Sequence, residues 1–407
     1  METVHTRSID RSRWPMLAVM FFANALPEFL WSNLPPVFSE VVDRYHVGPT
    51  MAGLTMLGFS IGTVAATRWG GALIDRAGYR VALLIGLAMC AAFAALRMVD
   101  GPFWLLVLAQ TGIGAALPFT TGTTSSFVVD WFEPRLEARM TGVCMVGMYV
   151  GLGVSMIVSP ILWRHFGFTG LMQWTALISA VTLAASVPFV RQRTPPKPVR
   201  DGRRERGGLK WVLANRTMTI LLITSLLAQG VFSGLAGALE LVWHDRGFSP
   251  EDAGLANGLF ILGGTLGSLL LPVIQDRRGN GRLLLILCYL AAVVLIYPLL
   301  AAGSLWWGAV AAAALGICWL GNVPVALTLL ERSVGPRHAG MASSYYWGFG
   351  NFGVIVLVPV CNAMLEFRNW YWAVGAMILM MCLCLGVTFA LPEGGGSAHA
   401  AGAEPWP

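Results

Sequence analysis

The stretch Gly71-Ala72-Leu73-Ile74-Asp75-Arg76-Ala77-Gly78-Tyr79-Arg80 is a short charged turn between two long apolar runs. A degraded copy, Ile274-Gln275-Asp276-Arg277-Arg278-Gly279, follows 201 residues later, about half of the 407-residue chain. An internal repeat of that size has to be read before any fold is assigned. The same offset carries Pro49, Ala52, Gly53, Leu54 and Gly62 onto Pro250, Ala253, Gly254, Leu255 and Gly263, and Pro134, Arg135 and Met140 fall within one residue of Pro336, Arg337 and Met341. Agreement at several separated places makes the two halves structural equivalents, and repeated membrane halves are the common architecture of secondary transporters.

Composition puts the repeat in a membrane. Apolar residues make up 56% of the chain and charged residues 12%, with a mean hydropathy of +0.66, outside the range of soluble globular proteins. Runs such as 81–96, 105–119 and 370–391 reach bilayer-spanning length with their flanks, and a span must satisfy its own backbone hydrogen bonds as a helix. The pattern predicts an all-α membrane protein of twelve transmembrane helices in two pseudo-symmetric halves. The expected organisation is a cytoplasmic N-terminus (1–13), a six-helix bundle (14–190), a basic linker (191–216), a second bundle (217–391) and a disordered Gly/Ala-rich tail (392–407).

The formal charge of +6 is topogenic on this reading rather than a nucleic-acid footprint. With both termini cytoplasmic, every Lys and Arg except Arg44, Arg97, Arg164, Arg246 and Arg368 falls on the inner side, the positive-inside pattern. That orientation suits the plasma (cytoplasmic, inner) membrane. The linker 191–210 holds eight basic residues and three prolines, so contact with anionic lipid is also expected there. All seven cysteines fall in predicted spans, which implies no disulfide framework. The first apolar run is too long for a signal peptide and lacks a small-residue cleavage site, so it reads as a retained helix. No H-E-x-x-H, phosphate-binding loop or nucleophile elbow is present, so no enzyme, metal site, cofactor or ATP-driven pump is expected.

The charge of Glu28 is the most informative within a span. It lies about 14 residues beyond Trp14, roughly 21 Å along a helix. A charge near the bilayer centre costs about 2.5 to 3.5 kcal/mol on insertion scales and usually faces a cavity or a partner. Desolvation favours the neutral carboxyl, which makes Glu28 a credible proton carrier or cation ligand. Asn24, Glu28 and Trp31 share one helix face, and the repeat offset maps them onto Ser225, Gln229 and Phe232. A polar, polar, aromatic stripe therefore recurs at matching depth. Gln110, Tyr149, Asn322, Tyr345, Tyr346 and Asn351 are further polar or amphipathic candidates for solute contact, each equally able to serve as an interhelical hydrogen-bond partner. Gly147, Gly151 and Gly153 read as close-packing positions. No basic residue is expected deep in a span, where a carrier of a strongly anionic solute would be expected to place one.

Gly71, Leu73, Asp75, Arg76, Gly78, Arg80 and Leu83 match G-x-L-x-D-R-x-G-x-[RK]-x-x-L, and Trp131-Phe132 with Pro134, Arg135, Ala138 and Gly142 is similar to a second family loop. On these motifs the chain resembles the major facilitator superfamily. The resemblance implies a 6+6 bundle around a central cavity, with alternating access and helices one and seven facing each other across that cavity; the expected working unit is a monomer. It also implies a cytoplasmic latch formed by Gly71, Asp75, Arg76, Gly78, Arg80 and Arg139 against the eleventh helix near residues 341–343. Asp276, Arg277 and Gly279 form a weaker second latch, because Pro272 replaces the first glycine and the last basic position slips to Arg282. Helix five lacks the Gly-Pro-x-x-Gly-Gly pattern of the family's drug/proton antiporters.

Within the superfamily, Trp31 with the run to Val47, and the pattern from Leu83, resemble the feline leukaemia virus subgroup C receptor-related carriers of choline and related amines. Glu28 and Tyr149 depart from that pattern, which has an apolar residue and a glutamine. A tryptophan face could hold an ammonium group by cation-π attraction of roughly 0.5 to 2 kcal/mol, so this resemblance implies a cationic, zwitterionic or amphipathic solute rather than an anionic one. The expected function is alternating-access transport of a small organic solute, with proton coupling through Glu28. An uncoupled facilitator and a non-transporting receptor remain open.

Overall fold

A computed structural model describes residues 13–192, 215–334, 339–366 and 370–392. Most of the expected linker, the tail after residue 392 and the residues before 13 lie outside the described residues. Everything described is helix, short 3-10 turn or connecting loop, as expected of backbone in lipid. Among the described residues, ten stretches are long and apolar enough to cross a membrane. One of them, Met140–Phe189, holds two helices that meet at Gly167, where φ is 68°. With the N-terminal helix Arg13–Trp31 this makes the twelve expected segments.

The elements in chain order are α1 (Arg13–Trp31), α2 (Phe38–Tyr45), α3 (Pro49–Ala52), α4 (Leu54–Ala77), α5 (Tyr79–Leu96), α6 (Phe103–Thr120) and α7 (Thr124–Trp131). The helix Pro134–Phe189 supplies α8 before Gly167 and α9 after it. The second half contains α10 (Arg216–Asp245), α11 (Pro250–Arg278), α12 (Gly281–Leu300), α13 (Leu305–Trp319), α14 (Asn322–Val334), α15 (Ala339–Glu366) and α16 (Trp370–Thr388).

The chain divides into two compact units. Among the described residues, the first holds 13–33, 61–155 and 162–192; the second holds 34–60, 156–161 and those from 215 onward. Within the first, α5 packs on α6 and α1 on both. A Cβ at Gly62 would collide with the Thr111 carbonyl, so the small residue there sets how closely α4 approaches α6. Within the second, a Cβ at Gly263 would collide with the Ala313 carbonyl and impose the same approach of α11 to α13. The repeat read from the sequence is thus repeated in packing.

Local chemistry explains the helix ends. Ser249 and Asp252 form a reciprocal capping box at the start of α11, which satisfies two otherwise orphaned backbone donors. Asn215 caps α10 through Met218 N (3.0 Å), and its amide donates to the Ser333 carbonyl at the end of α14 (3.0 Å). Trp104, Trp306, Trp307 and Trp372 are more than half exposed at the starts of α6, α13 and α16. Exposed tryptophans at helix ends suit the headgroup level of a bilayer. Exposed leucines and valines along the helix bodies, such as Leu108, Val181, Leu269 and Val294, suit contact with acyl chains.

Candidate functional site

The α1 stripe is held by α8. Positions 147 and 151 must be small, since a Cβ there would overlap the carbonyls of Phe21 and Ala25. One turn further, Ser155 Oγ donates to the Phe29 carbonyl (2.6 Å), and Ser32 Oγ donates to the Leu152 carbonyl (3.2 Å). This backbone-level contact brings Tyr149 into electrostatic reach of Glu28. The two residues come from helices joined by small-residue packing, the common device of membrane helix pairs.

The members of the stripe differ in what they have left to offer. Asn24 is buried and donates to Met20 O (2.9 Å) and Thr124 Oγ1 (3.0 Å). Trp31 is also buried. Glu28 is half-buried, and among the described residues its carboxylate accepts no hydrogen bond and faces no cation.

The second copy repeats the geometry with neutral groups. Ser225 Oγ donates to the Tyr346 carbonyl (2.7 Å), a Cβ at Gly353 would overlap the Leu226 carbonyl, and one at Gly350 would stand 3.3 Å from Gln229 Cβ. Gln229 and Asn351 are half-buried, whereas Phe232 is buried. Phe232 stacks on Phe260 at 5.7 Å and lines a largely apolar cleft with Leu235, Asn257 and Phe260. Since Gly151 and Gly353 play one role, α15 runs one residue ahead of the repeat offset, and Tyr149 matches Asn351 as Glu28 matches Gln229.

The remaining candidates are placed elsewhere. Gln110 is buried beneath Arg97, whose Nη1 donates to it at 3.5 Å. Asn322 is buried at the break between α13 and α14, and Tyr346 is buried in the core of the second unit.

Arg97 departs from expectation. The sequence assigns it to an outer loop, yet it is only 5% exposed at the C-terminal end of α5. Nη1 also donates to Leu30 O and Asn33 Oδ1 (both 3.1 Å), and Nη2 donates to Thr175 Oγ1 (3.2 Å). The guanidinium therefore ties the end of α5 to α1, α6 and α9, and it meets a last-turn carbonyl of α1, where a helix dipole favours a cation. Nothing in the sequence around residue 97 distinguishes it from a solvated loop arginine.

The motif loop has the turn its glycine predicts. Gly78 has φ 85° and Gly279 in the second copy has φ 67°, a region open mainly to glycine. Arg76, Arg80 and Arg277 are exposed, and Gly71 has open space around it. The side chains of Asp75, Arg139 and Asp276, and those of Met341 and Ser343 on the expected latch partner, lie outside the described residues. Tyr79, which the motif does not single out, is buried beside the turn. Its hydroxyl donates to Asp130 Oδ2 (2.7 Å), accepts from Trp131 Nε1 (2.8 Å) and lies 2.9 Å from the Arg191 carbonyl. It joins the ends of three helices behind the loop. Among the described residues no group of three His, Cys, Asp or Glu side chains could hold a metal ion.

Known proteins share this architecture. The chain is 23% identical over 287 residues to solute carrier family 49 member A3 of Danio rerio, covering 66% of this chain and 60% of that protein. It is 26% identical over 415 residues to the gallate transporter of Pseudomonas putida, covering 89% and 88%. Among solved structures, a point mutant of the nucleoside transporter NupG superposes with a TM-score of 0.77 at 14% identity, over 92% of this chain and 99% of that one. The sequence profile of the Major Facilitator Superfamily matches residues 19–234 and again 221–406, and the chain belongs to that superfamily.

Proposed function

We propose that Glu28 carries a proton whose movement is coupled to a small organic solute, and that Glu28 and Tyr149 contact the solute. Gln229 and Asn351 are their uncharged counterparts in the second copy and are assigned solute contact without proton transfer. The broader statement follows from family: this is a membrane-embedded secondary transporter of a small solute, not an enzyme.

The observation that carries the finer reading is the state of Glu28. Asn24 in the same stripe and Ser225 in the second copy are buried in satisfied hydrogen bonds, whereas this carboxyl is half-buried with no cation or donor among the described residues. An acid kept in a span without a structural partner is retained for function by default. The same acid supports a cationic, zwitterionic or amphipathic solute. The proposal also includes alternating access, a latch at Asp75, Arg76 and Arg80, and an inner-membrane chain working as a monomer with both termini cytoplasmic.

Purified protein in liposomes tests it. Accumulation of solute driven by a pH gradient is expected for the wild type and is lost in Glu28→Gln, while the variant still equilibrates solute. An unchanged pH dependence in the variant would overturn the assignment. One observation favours a second reading of the solute: the Pseudomonas putida relative is named for a carboxylate, gallate. Thermal stabilisation across amines, amino acids and aromatic carboxylates separates the two classes, because a ligand that binds only the native state raises its melting temperature.

A further inference from the structure

Cys288 and Cys318 lie on consecutive helices of the second unit, α12 and α13, which pack against each other. Cys288 comes 12 residues before Leu300, the end of α12, and Cys318 comes 13 residues after Leu305, the start of α13. At 1.5 Å per residue both thiols sit about 18 to 20 Å from the connecting turn, so the antiparallel hairpin carries them to one depth. The packing of α12 on α13 leaves the two thiols close enough to influence each other electrostatically. Both are free thiols; Cys288 is buried and Cys318 half-buried. None of the other five cysteines offers such a pairing. Cys382 is exposed, Cys384 turns its thiol to the Thr224 carbonyl (3.8 Å), and Cys90, Cys144 and Cys361 are buried on separate helices.

We propose that Cys288 and Cys318 form a dithiol site that chelates neutral trivalent arsenicals, clamping α12 to α13. Two soft sulfur ligands select a thiophilic centre over a hard cation. A charged ion would bring uncompensated charge into a span, whereas an arsonous acid, R-As(OH)2, enters uncharged and leaves no charge behind. Cys318, the more accessible thiol, attacks first: its sulfur forms an As–S bond, one As–O bond breaks, and the departing hydroxide leaves as water with the thiol proton. Cys288 repeats the exchange on the same arsenic. Two As–S bonds replace two As–O bonds, two waters are released, and arsenic remains trivalent, so no oxidant or reductant is needed. The second step is intramolecular, and such a step raises avidity by about 100-fold or more over a single contact.

The full-length protein in detergent, treated with one equivalent of phenylarsine oxide, provides the test. The expected product is a one-to-one adduct that survives excess 2-mercaptoethanol and is released by 2,3-dimercaptopropanol. Peptide mapping of the unsubstituted chain places the arsenic on Cys288 and Cys318, a readout that needs no variant to fold. Cys288→Ser and Cys318→Ser are each expected to lose the adduct about 100-fold faster in monothiol. Mapping to any other cysteine, absence of an adduct, or release rates unchanged by both substitutions would overturn the site. None of these outcomes depends on Glu28 or on the nature of the transported solute.

Discussion

Ser39 and Glu240 are 201 residues apart, the period of the repeat, and they bond to each other: Ser39 N and Oγ donate to the Glu240 carboxylate at 2.9 and 2.6 Å. The contact explains why residues 34–60 join the second compact unit. Ser39 is the second residue of α2, whose first-turn amides have no intrahelical acceptor, and the carboxylate of α10 receives one of them. Glu240 is 1% exposed, so its desolvation is offset by these two donors.

Glu240→Ala is therefore expected to leave the Ser39 donors buried without an acceptor and to destabilise the protein by about 2 to 3 kcal/mol. Glu240→Gln, which keeps one acceptor oxygen, should cost less. A double-mutant cycle with Ser39→Ala, measured by thermal unfolding in detergent, should return a coupling of about 1 kcal/mol or more. Additive effects would mean that the two side chains do not interact.

Arg97 makes a stronger demand. It serves three side chains and one backbone carbonyl from the α1 end, α6 and α9. Arg97→Met leaves these buried acceptors without their donor, and a loss of about 1 to 3 kcal/mol is expected for an acceptor left unpaired. Arg97→Lys should recover little, because an ammonium cannot reproduce the planar fork of a guanidinium. Full recovery of the unfolding midpoint in the lysine variant would show that charge alone, not geometry, fixes the site.

The helix contact that positions Tyr149 can be broken without touching a polar group. Gly151→Val places methyl groups where the Ala25 carbonyl stands, and separating α1 from α8 is expected to abolish transport. Gly353→Val should do the same through Leu226. Gly142 has nothing within 4 Å of an added Cβ, so Gly142→Ala serves as the control with transport retained. Wild-type transport in Gly151→Val would sink the claim that backbone approach sets this geometry.

The repeat, the helices and their order were legible because lipid removes the alternatives: an apolar run of spanning length has to be a helix, and an offset that matches glycines at 62 and 263 matches packing as well. The polar groups were less legible. Periodicity placed Asn24, Glu28 and Trp31 on one face, but only the fold shows that Asn24 donates to Thr124, a hundred residues away, while Glu28 is half-buried with no donor among the described residues. Gln110 and Tyr149 look alike in sequence as polar residues inside a span. Arg97 separates them, and its burial depends on four helices meeting, which no local pattern encodes. The Ser39 to Glu240 bond was hidden for the opposite reason. The repeat ruler pointed at it, but serine and glutamate look unrelated when repeat positions are compared for similarity.

Tyr149 and Gln110 supply the sharpest contrast. Tyr149 is half-buried near Glu28, so Tyr149→Phe should remove a solute hydrogen bond worth about 1 to 1.5 kcal/mol, raising the solute KM roughly tenfold with little change in thermal stability. Asn351→Ala should act in the same direction from the second copy. Gln110 is 1% exposed and already bonded to Arg97, so Gln110→Ala should lower the unfolding temperature and leave KM near the wild-type value. Uptake titrations in liposomes, paired with melting curves on the same preparations, separate the two behaviours. A KM defect in Gln110→Ala with none in Tyr149→Phe would move the solute site away from Glu28 and toward the Arg97 end of the first unit.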